Sequence, residues 1–424
     1  MPIPIIIKGF QEGVDSIPLA WSALHIAPWV LILAALKYYF GGARNTSERL
    51  MHSKVVMVTV RFFPPLISTN TNSFPQGGTS GIGANVVQEL ASRGAQVILL
   101  TRQPPSDLFL VEYIDDLRRT TGSNLIYAEQ VDLTSLHSIR TFATKWIDNA
   151  PPRRLDAVIL CGGIALPSHA RTQTPDGIDE EWQVNYLANF HLLSILSPAL
   201  RVQPAHRDVR VIFTTCSSYI GAKFELDTVK RGVASKKNVA QTKNIYAMSK
   251  FALMAFAQSF QRHLTAYQRP DGLPNCTRVI VVDPGASRTP GMRRWLTGGS
   301  LWGLLLYLLT WPIWWLFLKS PQQGAQSILY AAMEEKYGRG QGGWMIKECR
   351  EVDFARRDIQ DEDVGKRLWE FSEKQIEEAE KEGAVKRALE KKEKEAEKEK
   401  KTRKEASSGK TQSAGSRRNR KNKT

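Results

Sequence analysis

The sequence predicts an α/β fold, a doubly wound parallel sheet with helices on both faces, on three observations. Short continuous runs of β-branched and aliphatic residues recur along the middle of the chain. They alternate with longer stretches of helical periodicity, and alternation of that kind builds a parallel sheet through right-handed crossovers. A glycine cluster, Gly77-Gly78-Thr79-Ser80-Gly81-Ile82-Gly83, follows the first run and precedes the first helical stretch.

Val55 to Thr59 reads as the first buried strand, because an unbroken apolar run suits a strand covered on both faces. Ala84 to Arg93 reads as a helix, and Gly94 as its stop. Further strands are predicted at Gln96–Leu100, Leu125–Gln130, Asp156–Leu160, Val209–Thr214 and Arg278–Val282. Helices are predicted at Leu108–Thr120, Leu136–Asn149, Glu180–Leu200 and Tyr246–Tyr267. Beyond them, Gln322–Glu335 reads as an amphipathic helix and Gly342–Ile346 as a short last strand. The domain plan is an N-terminal membrane anchor over 1–50, a Rossmann-type domain over 51–350, a charged helix over 351–405 and a disordered basic tail over 406–424.

Composition narrows the function classes. The 424 residues carry a net charge of +16, but the 39 residues from Lys386 to Thr424 hold 16 Lys/Arg against 6 Glu, so more than half of the excess lies in the tail. The body offers no basic, aromatic-interleaved recognition module, which argues against nucleic acid as its partner. The tail would meet anionic lipid headgroups or RNA, with lipid preferred. Four widely spaced cysteines form no CxxC pair, which fits a reducing compartment and leaves no metal site in prospect.

Two apolar segments point to a membrane. Ile17 to Leu36 has no charged side chain and is followed by Lys37 and Arg44; it reads as a retained anchor, with a buried soluble helix as the competing reading. Pro18, Pro28 and His25 favour a hairpin or tilted insertion over a simple span. Ser300 to Leu318 carries four tryptophans and Pro312 between flanking cations. Interfacial insertion is preferred there, because sheet elements before and after it must stay on one side; a true span and a soluble substrate lid are the alternatives.

The chemistry concentrates in Tyr246-Ala-Met-Ser-Lys250. Residues four apart share a helix face, so Lys250 is expected to favour the Tyr246 phenolate and lower its pKa toward neutrality. A strand, a glycine-rich turn and a helix N-terminus make a phosphate cradle. At the end of the second strand stands Thr101-Arg102 rather than an acid, and Arg102 would pair with a 2′-phosphate, favouring NADP(H). Asp132-Leu133 would meet the adenine edge, and Cys161-Gly162-Gly163 offers backbone for close approach.

These residues resemble the short-chain dehydrogenase/reductase superfamily from about Lys54 to Ile346, and most of all its retinol-dehydrogenase-like branch. The resemblance rests on Thr59 with Gly77, Gly81 and Gly83, on Asp132-Leu133, Asn185-Tyr186-Leu187 and Ser217-Ser218, on Tyr246 with Lys250, and on Pro284-Gly285. It implies that Tyr246 is the acid or base, that Lys250 tunes it and holds the nicotinamide ribose, and that Ser218 orients the substrate oxygen. It also implies that Asn185 holds a relay water. Thr59, Gly77, Thr79, Ser80, Gly81, Ile82, Gly83, Arg102, Asp132, Leu133, Gly162, Gly163, Tyr246, Lys250, Pro284, Gly285 and Thr289 would then line the cofactor.

The chain departs from the family at Leu160-Cys161-Gly162-Gly163, where asparagines are common, and at residues 60–76, an insertion of 17 residues that fits a retained intron. The expected activity is membrane-associated, NADP(H)-dependent interconversion of a lipophilic alcohol and carbonyl, such as a retinoid, sterol or fatty aldehyde. The alternative is a non-catalytic cofactor-binding scaffold or tether at lipid droplets. The resemblance to fungal oxidoreductases places the chain on lipid droplets or the endoplasmic reticulum, facing the cytosol, and allows a homodimer.

Overall fold

The computed structural model describes residues 20–60, 81–166, 172–230 and 239–418. It forms two compact units, Met1–Ser372 and Glu373–Thr424. The first is built on one eight-stranded sheet with strands β1 (Val55–Thr59), β2 (Gln96–Thr101), β3 (Ile126–Gln130), β4 (Ala157–Leu160), β5 (Val209–Thr214), β6 (Thr277–Asp283), β7 (Trp344–Lys347) and β8 (Arg350–Val352). Their order is β3-β2-β1-β4-β5-β6-β7-β8. All neighbours are parallel except β7 and β8. The chain reverses its direction of travel across the sheet between β1 and β4, and in open sheets of this kind ligands settle outside the strand C-termini at that switch point.

The central strands form because their side chains are apolar on both faces. All five residues of β1 are buried. One face, with Val56, Val58, Val97 and Leu99, packs on α2 (Ile82–Ser92) and α10 (Pro321–Met333) through Val86, Val87, Leu90 and Ile328. The other carries an aromatic layer in which Phe190 of α5 (Ala188–Arg201) meets Phe256 of α6 (Val239–Ala266) at 4.9 Å between ring centroids. Helices α3 (Leu108–Thr121) and α4 (Leu136–Ile147) complete the crossovers, each started by a side-chain cap, Asp107 and Ser135 respectively.

At the opposite, N-terminal edge of the sheet the cations are held by two acids, Asp156 buried and Asp208 partly buried. Asp156 accepts from Arg154 at 2.6 and 3.0 Å and from the Val55 amide at 2.9 Å, and Asp208 accepts from Arg210 and Arg49.

Several expectations change. The strand β8 was not foreseen; it depends on a tight turn in which Glu348 and Cys349 both take positive φ, 52° and 53°. Residues 300–318 form two short helices, α8 (Leu301–Leu309) and α9 (Trp311–Phe317), and Pro312 starts the second rather than bending one long helix. Nine residues reach only about 14 Å, half of a bilayer core, so neither helix alone is long enough to cross one. Among the described residues no helix is long and apolar enough to cross a membrane. The N-terminal helix α1 (Ala20–Phe40) therefore gives no support to a spanning anchor over 17–36, whose first three residues lie outside the described set. The last helix, α11 (Glu362–Arg418), continues past the end expected near 405, so residues 406–418 are helical rather than disordered; i,i+4 pairs such as Lys381 with Glu377 support its exposed turns.

Candidate active site

Thr59, the last residue of β1, is fully buried, and its hydroxyl accepts from the Gly162 amide at 2.9 Å. That bond ties β1 to the loop after β4. Gly162 has no room for a larger side chain: a Cβ there would lie 2.9 Å from Leu133 Cδ1 and 3.2 Å from Thr59 Oγ1. The α2 helix closes on the same loop, since a Cβ on Gly83 would sit 3.2 Å from Cys161 Cβ. Gly81 begins α2 with no side-chain cap and open space around it. The helix start, without a side-chain cap, thus brings its first N–H groups to the cavity wall, the arrangement a pyrophosphate needs. Gly77, Thr79 and Ser80 lie outside the described residues.

Tyr246, Lys250 and Ser218 meet in one cavity of about 580 Å³ at the C-terminal edge of the sheet, with Gly81, Ile82, Gly83, Gly163, Pro284, Gly285 and Thr289 also in its wall. Ser218 comes from a 3₁₀ turn, Ser217–Gly221, directly after β5. A residue not foreseen sits between the two hydroxyls: Cys216 Sγ is 2.9 Å from Ser218 Oγ and 3.3 Å from Tyr246 Oη. Lys250 is buried and donates to the Thr214 carbonyl at 3.3 Å.

The Tyr246 pKa is raised well above its usual 10, first by burial, then by the charge and hydrogen bond of Cys216 and by the Glu181 and Asp283 carboxylates. This reverses the lowering expected from an ammonium four residues away. Burial also lowers the Lys250 pKa, while Cys216, Cys161 and Asp283 oppose that fall. Proximity on a helix face is therefore outweighed by desolvation of both partners. Burial likewise pushes the Cys161 thiol up to about 11, so it is protonated near neutrality.

Asn185 lies behind the cavity wall, in a π-helical turn (Gln183–Leu187), a local irregularity frequent at functional sites. Its amide is fully buried and clamps the loop after β4, accepting from Ile164 N at 2.7 Å and donating to Ile164 O at 2.9 Å and Ser249 Oγ at 3.2 Å. A Cβ on Gly163 would touch both Asn185 Oδ1 at 3.2 Å and Lys250 Nζ at 3.5 Å, so the amide and the amine share one small space.

Two acids also missed by the sequence reading enter the wall, Glu181 and Asp283. Asp283, at the end of β6, accepts from Ser217 Oγ at 2.6 Å and from Gly285 N at 2.9 Å, and pairs with Lys347 at 3.4 Å. Thr289 caps the helix α7 (Pro290–Thr297) by accepting from Met292 N. Away from the cavity, Arg102 and Asp132 pair with each other at 3.1 Å, with the arginine side chain 68% exposed.

Comparison with known proteins gives this geometry a family. Residues 76–298 match the short chain dehydrogenase family. The chain belongs to it. The uncharacterized oxidoreductase pbr1 of Schizosaccharomyces pombe is 39% identical over 92% of this chain and 100% of its own length. Human retinol dehydrogenase 13 is 29% identical over 79% of this chain and 88% of its own, and the chain is a retinol-dehydrogenase-like member of the family. A crystal structure of a putative uncharacterized protein from Mycobacterium paratuberculosis covers 79% of this chain and is itself 98% covered, with 22% identity and a TM-score of 0.53, which fixes the fold alone. This short chain dehydrogenase is thus an oxidoreductase with a fold that binds a nicotinamide cofactor. Its family match begins at Gln76, the last residue of the insertion, although β1 lies in its place at the centre of the sheet.

Proposed function

We propose that this chain is a membrane-associated, NADP(H)-dependent oxidoreductase that interconverts a lipophilic alcohol and its carbonyl. The observation that carries the reading is the convergence of Ser218, Tyr246 and Lys250 in one cavity whose outer wall contains Met292 and Trp295. The residues fit a dinucleotide: Gly83 and Gly162 let α2 and the loop after β4 pack closely, Gly81 leaves open space beside them, and the uncapped start of α2 offers donors to phosphate. When bound, the nicotinamide supplies or accepts the hydride.

The chain's own residues do the rest. Tyr246 Oη gives a proton to the substrate oxygen in reduction and takes it in oxidation, and Ser218 Oγ holds that oxygen. Lys250, four residues from Tyr246 on the same helix, holds the ribose. Burial keeps the Tyr246 phenol protonated near neutrality and makes it a weaker acid, so the shift itself selects no reaction direction. Arg102 supports a 2′-phosphate, since its side chain is 68% exposed and it pairs with Asp132 through Nε. The location that accompanies this reading is the cytosolic face of a lipid droplet or of the endoplasmic reticulum, supported by Lys37 and Arg44 beyond the apolar run of α1.

The test is cofactor oxidation with purified protein over retinoids, sterols and fatty aldehydes. Tyr246→Phe is expected to lose about 10²–10⁴-fold in turnover while binding NADPH as before. Arg102→Ala is expected to weaken NADPH binding about tenfold or more and leave NADH binding unchanged. Retention of turnover by Tyr246→Phe would refute the mechanism, and failure of every carbonyl with the wild-type chain would favour the scaffold.

A further inference from the structure

Between Ala286 and Ser320 the chain leaves the sheet edge and comes back to the same point. The excursion is closed at its base by main-chain bonds, Arg288 N to Lys319 O at 2.8 Å and Lys319 N to Ala286 O at 3.0 Å. Inside it lie α7, α8 and α9. Its apolar residues face outward: Leu301 is 84% exposed and Trp302 80%, and Leu306 and Leu309 are exposed as well. An exposed apolar surface of that kind marks a docking site.

The N-terminal helix α1 joins it. Phe40 meets Phe317 at 4.8 Å between ring centroids, and Lys37 Nζ donates to the carbonyls of Trp315 at 2.5 Å and Leu318 at 3.2 Å, capping the end of α9. Trp29, Leu31 and Ile32, on the same helix, are exposed. The hairpin is itself tightly made. A Cβ on Gly303 of α8 would collide with the Thr297 carbonyl at the end of α7, and Trp314 Nε1 bonds Thr310 Oγ1 at 2.7 Å.

Charge decides the occupant. Residues 20–43 and 286–333 contain no Asp or Glu, but do contain Lys37, Arg288, Arg293, Arg294 and Lys319. Lys319 pairs with Glu348, while Arg293 and Arg294 are exposed beside Trp295. Burial and the nearby Arg288 charge lower the Lys37 pKa, so the cations crowd one another. A second copy laid on this face would bring like charges together. A lipid surface bearing anionic headgroups would neutralise them, while tryptophans settle at its interface.

We propose that α1 and the α7–α9 excursion form one interfacial docking face for an anionic lipid surface, clasped by Lys37, through which substrate passes from lipid into the cavity. The passage follows from α7, which belongs to the excursion and gives Met292 and Trp295 to the cavity wall. The docking itself stands on the exposed surface; the passage rests on the oxidoreductase reading above.

The experiment uses the full chain and flotation on vesicles of phosphatidylcholine with and without about a third phosphatidylserine, an anionic content chosen to raise the surface potential. The wild type is expected to float on the anionic vesicles, and less so in high salt. Trp302→Glu with Leu306→Glu, at exposed positions that leave the fold intact by circular dichroism, is expected to reduce flotation at least tenfold. Turnover of a water-soluble short carbonyl would stay unchanged, and turnover of a vesicle-dissolved one would fall with flotation. Lys37→Met is expected to weaken flotation several-fold without altering any exposed apolar residue; no change would overturn the single clasped face. Wild-type flotation by the double glutamate variant would overturn the docking face, as would a chain dimer that this variant dissociates with flotation unaltered. Lost flotation in the variant, with no turnover of either carbonyl by the wild type, would uphold docking and remove the oxidoreductase reading alone.

Discussion

Replacing Asn185 with alanine removes three hydrogen bonds from a place no water reaches from outside. The side chain is fully buried, and two of its bonds go to the amide and carbonyl of a single residue, Ile164. Both Ile164 groups lose their partner at once, and a buried main-chain group left unmade costs about 1–3 kcal/mol. The third bond, to Ser249 Oγ, is an ordinary net contribution of about 1 kcal/mol. The expected loss is about 3–7 kcal/mol, a large share of the ~5–15 kcal/mol that holds a folded protein. Ser249→Ala removes only that third bond and the one from Ser249 Oγ to the Tyr246 carbonyl, so it should cost about 1–2 kcal/mol. Urea unfolding followed by tryptophan fluorescence measures both, with the slope checked for constancy. Because the loop clamped by Asn185 carries Gly163 into the cavity wall, NADPH binding should weaken in the first variant more than in the second. Equal destabilisation by the two would refute the argument, since it rests on the orphaned Ile164 groups and not on the serine.

Other outcomes follow from the same geometry. Thr59→Val keeps the shape but leaves the Gly162 amide without its acceptor, so a loss of about 1–3 kcal/mol in urea unfolding is expected, with weaker cofactor binding. Burial works to raise the Asp208 pKa, but its bonds to Arg210 and Arg49 outweigh that and hold it at about 2, below an ordinary 3.8. A lowered folded-state pKa contributes stability that is full above the unfolded value and fades as pH falls from about 3.8 toward 2; the shift is worth about 2.5 kcal/mol. Unfolding of Asp208→Asn against wild type should therefore differ at pH 7 and converge as the pH is lowered through that window, and a gap that stays constant would exclude the linkage.

The strands were legible because burial on both faces leaves a plain mark, an unbroken apolar run, and β5 falls at Val209–Thr214 as read. Helix α3 was equally plain, with Asp107 capping its start and Gly122 in the left-handed conformation at its end. The strand β8 carries no such mark. Arg350-Glu351-Val352 acquires its conformation from the turn before it and from pairing with β7. The site residues on one helix, Tyr246 and Lys250, were legible because four-residue spacing is a local fact. Cys216 and Asp283 were not, because they matter only once the ends of β5 and β6 lie side by side. Nothing local marks a cysteine two residues before Ser218 as the atom that bridges it to Tyr246.

The error over Tyr246 has the same origin and bears on the chemistry. Helical spacing gives the neighbour but not the solvent, and here desolvation is the larger influence on both groups. A buried amine four residues away cannot make a buried phenol acidic while its own charge is disfavoured. Its ammonium must first be stabilised, and Asp283 is the carboxylate in the wall that raises the Lys250 pKa. Asp283 is fixed in turn by Ser217, Gly285 and Lys347, two of them in the segments that flank Ser218 and the Pro284-Gly285 turn. After burial and Cys216, the ends of β6 and β7 thus also act on the acid–base pair, and a change at Lys347 should reach Tyr246 through Asp283 without touching either substrate or phenol.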